Sequence, residues 1–546
     1  MSSAIGAVRR STGLQFLIAL LGLAVLGAIV YEPQALHGGF LSDAWANRAL
    51  YVFAPAHGFF NKISYLGEQS NISPRPLQAV YLVLLNSIFG GHAHWWLTWQ
   101  VATNIGMCAS FYLLLRKLGY GFFDAGIMAA LVLVFPAATS IRFWLATIWG
   151  PASLTFVCLG FVLALDAFEA KSIRNKLLLH AASLTLFAAS LLLYEIALLV
   201  ILAGICLYLL RAPWREALAR WAADLVVLGV LALTITLKST TGHAETEMGI
   251  WPHARLIFSQ AKTLATTIVL PLNSDQWYVI LLLLLIPVVG LLVWWLRDKA
   301  DPMRDDLRRW LLTMLAGLVV VVLGYVIYAP GTDYYEPLAA GIGDRVNLVP
   351  SFGWVLMLYS GAMILATLIL RDIPRARRWI SAAAAVTVAL IAAGWLRSVG
   401  DYSAYFTQAS NEDTRVLTTM QEHLRDPKPG STIWTFAQPV EVVPYVPVFG
   451  NTWDMTSSVQ LKYDDPTLQS FVAYPENQFQ CLANKVVPNG RYEVGGHTPG
   501  EFTSVYGKTY FIDTTSGEYT AIENKGQCEA ALKKYPLAPY YPPAAP

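Results

Sequence analysis

Long apolar runs separated by short polar punctuation dominate the chain up to Trp395. Runs approaching the roughly 20 residues that carry a helix across a bilayer begin near Leu14, Leu97, Gly121, Ala152, Leu177, Ile196, Trp221, Tyr278, Trp310, Pro350 and Ile380. The run from Leu77 to Phe89 is too short to span comfortably, and the "GGHAHWW" after it has the Trp and His of an interfacial segment. It is expected to lie along the membrane surface. The stretch from Leu177 to Leu210 reads as a tight hairpin of two short helices. The first run ends in "GAIVYEP", which lacks the small-x-small pattern of a cleaved signal, so it reads as an anchor. The pattern predicts a polytopic α-helical membrane protein with about eleven crossings.

The pattern changes after Trp395. From Arg397 to Pro546 no spanning run occurs, and Pro, Gly, Asn, Thr and Asp become frequent. Asn411 to Arg425 has helical amphipathicity, while "STIWTF", "RYEVGG", "SVYGKTYFI" and "EYTAI" read as short strands between turn signals. This predicts a soluble C-terminal α/β domain ending in a proline-rich tail without regular structure. The chain therefore divides into a membrane domain, residues 1–396, with a large first outer loop at 32–96, and a soluble domain, residues 397–546.

Composition agrees with this reading: of 546 residues, 55% are hydrophobic and 14% charged, with a mean hydropathy of +0.48. The formal charge of +2 gives no reason to expect a nucleic-acid partner. Placement of charge says more. Basic clusters fall at Arg9-Arg10, Arg116-Lys117, Lys171 to Lys176, Arg211 to Arg220, Arg297 to Arg309 and Arg371 to Arg378. The positive-inside rule makes all of them cytoplasmic, with the N-terminus inside and the C-terminal domain outside. Cys481 and Cys528 are the only cysteines of that domain, and an oxidising compartment predicts a disulfide between them.

With this topology several polar groups gather at the outer face. The first loop holds Asp43, Glu68 and an Arg75-Pro76 pair. Others are Arg142 in "TSIRFWLATIWG", His243, Glu245 and Glu247 in "TGHAETEMG", and Asp333, Glu336, Asp344 and Arg345 in the loop after Tyr328. Glu195 in "SLLLYEIALL" lies either within the bilayer, where a carboxylate is costly and usually functional, or at the end of the hairpin. The histidines His57, His92 and His94 lack metal-ligand spacing. Asn71 opens an N-x-S triplet, a pattern frequent by chance. The chain contains no phosphate-cradling Gly-rich loop and no nucleophile elbow.

The order of these features resembles the GT-C fold glycosyltransferases, which include the protein O-mannosyltransferases, the aminoarabinose transferases of lipid A and bacterial surface-glycan transferases. The likeness rests on the first crossing followed by "SD" and aromatics, on Arg75-Pro76-Leu77 opening a juxtamembrane helix, and on a later helix ending in "LLLRKLG". "GDRVNLVPSFGW" resembles the "ERYLYLPS-(hydrophobic)-G" segment of the mannosyltransferase-like branch, and "LYEIAL" is similar to a Tyr-Glu pair of bacterial relatives. The resemblance implies a bacterial inner-membrane enzyme that takes a sugar from a polyprenyl-phosphate donor. The acceptor would be a hydroxyl of an extracytoplasmic glycan or protein. In such a transfer Asp43 matches the family's first-loop acid and would be the general base. Arg345 and Arg75 would bind the donor phosphate, with Glu68, Asp344, Glu195, Arg142 and Tyr328 in support. Each has a structural alternative: Asp43 could cap a helix, Arg345 could snorkel, and Arg75 could pin the loop. Family members often carry two neighbouring acids where this chain has Asp43-Ala44, so no cofactor is called for. A divalent metal would need Glu68 to fold back as a second carboxylate. A flippase or transporter for a lipid-linked glycan would also be polytopic, but no internal repeat is visible. A non-catalytic scaffold with a glycan-binding outer domain fits the same layout.

Overall fold

The computed structural model describes residues 12–69, 72–238, 249–269, 277–298, 301–331, 335–373, 375–450, 452–475, 478–489 and 504–542. Arg9-Arg10, Asn71, His243, Glu245, Glu247, Asp333 and the "RYEVGG" segment lie outside these residues. The first apolar run forms α1 (Thr12–His37). The first loop then folds into three helices, α2 (Asp43–Val52), α3 (Phe59–Gly67) and α4 (Pro76–Phe89). Pro76 opens α4 because its ring fixes φ and its missing N–H falls where a helix leaves amides unpaired.

The bundle continues with α5 (Ala93–Lys117), α6 (Phe122–Leu133), α7 (Ser140–Phe143), α8 (Trp149–Glu169) and α9 (Ile173–Leu193). Next come α10 (Leu198–Leu202), α11 (Ile205–Leu209), α12 (Trp214–Lys238), α13 (Ile250–Val269) and α14 (Trp277–Leu296). The last are α15 (Pro302–Val326), α16 (Leu348–Leu370) and α17 (Ile380–His423). Among the described residues, 7 helical segments are long and apolar enough to cross a membrane: Thr12–His37, Leu145–Glu169, Ile173–Leu193, Trp214–Lys238, Pro302–Val326, Ile342–Leu370 and Arg377–His423.

This corrects the expectation of about eleven crossings. Helix α5 has the length but carries Gln100 and Asn104, both buried, whose amides donate to the Ile141 carbonyl. Helix α6 stops short of Pro136, since the residue before a proline is pushed out of helical geometry. The hairpin of two short helices is corrected as well. Helix α9 is 21 residues long, because it begins at a Ser172 cap whose hydroxyl accepts the Asn175 N–H at 3.2 Å. Only the return leg is short, broken into a turn at Glu195–Ala197 and then α10 and α11.

Basic side chains gather at one end of the bundle. Lys117 pairs with Asp166 and Glu169, Arg211 donates to the Lys117 carbonyl, Arg309 to the Gly119 carbonyl, and Arg371 pairs with Asp306. Helices α9 and α16 run from this end to the other, where Glu195 and Arg345 sit. The two sets of charges therefore occupy opposite ends.

Helix α17 has 44 residues and is about 66 Å long at the usual rise, twice what a bilayer core needs. Its apolar first part runs unbroken through Arg397 into a polar part that supports the C-terminal mixed β-sheet domain. The sheet is built from β1 (Thr432–Phe436), then, after the β2 (Glu441–Val443) and β3 (Val446–Pro447) hairpin and helix α18 (Thr452–Tyr463), from β4 (Gln469–Val472). A three-stranded sheet contains β5 (Gln478–Cys481), β6 (Lys485–Asn489) and β7 (Ser504–Val505), and the main sheet resumes with β8 (Thr509–Asp513) and β9 (Tyr519–Ile522). Its order is β4-β1-β8-β9, with β1 parallel to both neighbours, Thr432 facing Gln469 and Thr509. Being covered on both faces, β1 reads "TIWTF" and is buried throughout. Trp434 stacks on Phe471 at 4.7 Å, and the last helix, α19 (Lys525–Lys534), closes this core. Cys481 of β5 is bonded to Cys528 of α19. Among the described residues the tail has no regular element, and its backbone is held at two points: Pro539 and Tyr540 carbonyls accept the Val440 and Glu441 amides.

Candidate functional site

At the end of the bundle opposite the basic clusters, the turn after α9 meets the start of α4. Arg75 grips Glu195 with both prongs, Nε to Oε2 at 2.6 Å and Nη2 to Oε1 at 2.5 Å. Both side chains keep about a quarter of their surface exposed, at 26% and 28%. Burial works against the Arg75 charge, but Glu195 outweighs it and raises the guanidinium above its ordinary range. Tyr194 lies beneath Arg75, 5.2 Å from ring centroid to guanidinium.

Arg345 enters the same cluster from the short helical turn before α16. Its guanidinium lies 5.3 Å from the ring of Tyr335 and 5.3 Å from that of Trp144, and Nη1 donates to the Ile342 carbonyl. Tyr328 packs against Tyr335 at 5.4 Å; it is only 7% exposed, and its hydroxyl has no hydrogen-bond partner among the described residues. The fold thus brings together Arg75, Glu195, Tyr328 and Arg345, all singled out in the sequence. It adds Tyr335 and Trp144, whose aromatic character gave no separate signal in so aromatic a chain, and Tyr194, read in the sequence only as the Tyr of a Tyr-Glu pair.

Trp144 joins this cluster to Asp43. Its indole N–H donates to the Leu41 carbonyl at 3.2 Å. Two residues on, Asp43 begins α2 after Ser42, which is held at φ 49, a strained backbone for a side-chain-bearing residue. The capping reading of Asp43 is not what the geometry displays. Its Oδ1 instead accepts the indole N–H of Trp453, on α18 of the C-terminal domain, at 2.7 Å. A reciprocal bond runs from Trp45 of α2 to Oδ2 of Asp413 on α17, at 3.0 Å. Asp413 lies in the polar part of α17 and is 1% exposed. Neither Trp453 nor Asp413 carried any recognisable sequence signal.

The remaining candidates are placed differently. Asp344 is fully buried and accepts four donors: Thr139 N at 2.5 Å, Thr139 Oγ1 at 2.6 Å, Ser140 N at 2.9 Å and the Ser140 hydroxyl. It ties the start of α7 to the Arg345 turn. Arg142 is also buried, and donates to the Phe135 and Val132 carbonyls at 2.6 and 2.8 Å, satisfying the frayed end of α6. Glu68 ends α3 on the surface, and no hydrogen bond or ion pair joins it to Asp43. Among the described residues no group of three or more His, Cys, Asp or Glu is placed to hold a metal.

No protein-family model matches the chain, and none of the curated proteins matches it. The chain is similar to the crystal structures of ArnT from Cupriavidus metallidurans, in the apo state and bound to undecaprenyl phosphate. In both cases the TM-score is 0.41 and the identity 11%, over 84% of this chain and 86% of that chain. Similarity this distant fixes no residue's role.

Proposed function

We propose that the protein is a membrane glycosyltransferase acting on a polyprenyl-phosphate sugar at the extracytoplasmic face. The observation that carries this reading is the bridge through Trp144. It sets a guanidinium, a group able to pair with phosphate oxygens, at Arg345 beside the turn that presents a carboxylate, Asp43. By the positive-inside rule the end rich in Lys and Arg is cytoplasmic, so this site and the C-terminal domain face outward. A polyprenyl tail stays in the bilayer, and its phosphate must present its charge at that level.

In the transfer, an acceptor hydroxyl oxygen attacks the anomeric carbon from the face opposite the phosphate. The bond from that carbon to the phosphate oxygen breaks, releasing polyprenyl phosphate and inverting the centre. Asp43 takes the hydroxyl proton as attack proceeds; its Oδ1 is oriented by Trp453, and no described residue hydrogen-bonds Oδ2. Negative charge grows on the leaving phosphate, and a guanidinium already oriented on two rings stabilises it without reorganising. Arg345 takes that role here. The charge of Arg75 is matched by Glu195, so this pair builds the wall of the site and holds Tyr194 beside Arg345.

The test is reconstitution in vesicles with radiolabelled polyprenyl-phosphate sugars and hydroxyl-bearing acceptors. The proposal predicts label on the acceptor and free polyprenyl phosphate. Movement of intact donor between leaflets would favour a flippase, and neither outcome would favour a glycan-binding scaffold.

A further inference from the structure

We infer that the C-terminal domain completes the transfer site, with Trp453 as the positioning residue that aims Asp43. This rests on Asp43 being the base. Trp453 is in the second residue of α18, far along the chain from Asp43, yet its indole N–H reaches Oδ1 at 2.7 Å. A hydrogen bond to one oxygen restrains the rotation of the carboxylate and leaves its other oxygen to take the proton. An unrestrained Asp at a helix start would sample several rotamers.

Two further contacts show that the domain grips both sides of the site. Trp45, two residues after Asp43, returns a hydrogen bond to Asp413, so the first turn of α2 is held by both α18 and α17. On the other side, the Tyr445 carbonyl in the β2–β3 turn accepts the Ile342 N–H at 2.8 Å. Gly341, at φ +72, lies so close that a Cβ there would sit 2.4 Å from the Tyr445 Cβ. That backbone contact sets the turn carrying Arg345. The soluble domain therefore fixes the base through α18 and the arginine through the β2–β3 turn. A domain present only to bind glycan would need neither.

The test uses the full-length protein, with Trp453→Phe, Trp453→His, Asp43→Asn and the Trp453→Phe/Asp43→Asn double variant. Trp453→Phe keeps an aromatic ring and loses the N–H. Single-turnover transfer is expected to fall about 10-fold or more, the scale of one hydrogen bond to a charged group, with donor binding unchanged. Trp453→His, which keeps a ring N–H, retains more transfer than the Phe variant. In the Asp43→Asn background the Phe substitution costs nothing further, because the group it aims is gone. Wild-type transfer in Trp453→Phe, with Asp43→Asn inactive, overturns this inference alone. So does an equal further loss in the double variant, which would mark a general structural defect, or a Phe variant more active than the His variant. Full transfer in Asp43→Asn removes the base assignment and this inference with it.

Discussion

Asp43 and Asp344 are both acids of loops that follow a long apolar helix, at the same end of the bundle, and the fold treats them in opposite ways. Asp344 is fully buried and takes four hydrogen bonds from Thr139 and Ser140. Its capacity to accept is filled by the protein. Asp43 is half-buried, begins its helix after a strained Ser42, and takes one hydrogen bond among the described residues, from Trp453. The arginines divide likewise. Arg142 is buried against the carbonyls that end α6, whereas Arg345 lies half-buried across the rings of Trp144 and Tyr335. A polar side chain whose bonding is completed by its own fold holds that fold together. A carboxylate such as that of Asp43, oriented yet accepting a single hydrogen bond among the described residues, can act on something else.

The largest effect that sharpens this contrast is on stability. Asp344→Ala strands buried amides and hydroxyls around Thr139 and Ser140, and is expected to lower stability by at least about 3 kcal/mol. Thermal unfolding in detergent would measure it; an unchanged melting temperature would dissolve the distinction between the two acids. Next comes Arg345→Lys, which keeps the charge but loses the planar fork. Transfer should drop by about 10-fold, equivalent to ~1.4 kcal/mol, and Arg345→Ala should also weaken donor binding. A lysine variant with normal donor affinity and rate would make Arg345 a mere interfacial anchor. The smallest effect is at Glu68, an exposed acid of the same first loop. Glu68→Gln should change stability by no more than about 0.5 kcal/mol and leave transfer intact, so a marked loss of transfer would show that loop acids were sorted wrongly.

Much of this was legible in the chain. The helix opened by Pro76, the strands "STIWTF" and "EYTAI" and the Cys481–Cys528 bond all follow from local rules of periodicity, turn chemistry and cysteine placement. Arg75, Glu195, Tyr328 and Arg345 were selected by residue type and loop position, and the fold gathers them. Helix count was less legible, because periodicity cannot show that Gln100 and Asn104 face inward or that the return leg after Glu195 is broken. Pairing was not legible at all. That Arg75 is matched by Glu195, that Asp344 is filled by Thr139 and Ser140, and that Trp453 reaches Asp43 depend on approaches across 120, 205 and 410 residues of chain. No local pattern encodes such distances.

The central claim is that Asp43 is the base of a sugar transfer, and Asp43→Asn in single-turnover transfer from a polyprenyl-phosphate sugar tests it most directly. Asparagine keeps the shape and can still accept the Trp453 N–H, but it cannot take a proton. Transfer should fall by at least about 100-fold, with donor binding and melting temperature at wild-type values. A rate near wild type in that variant would contradict the account.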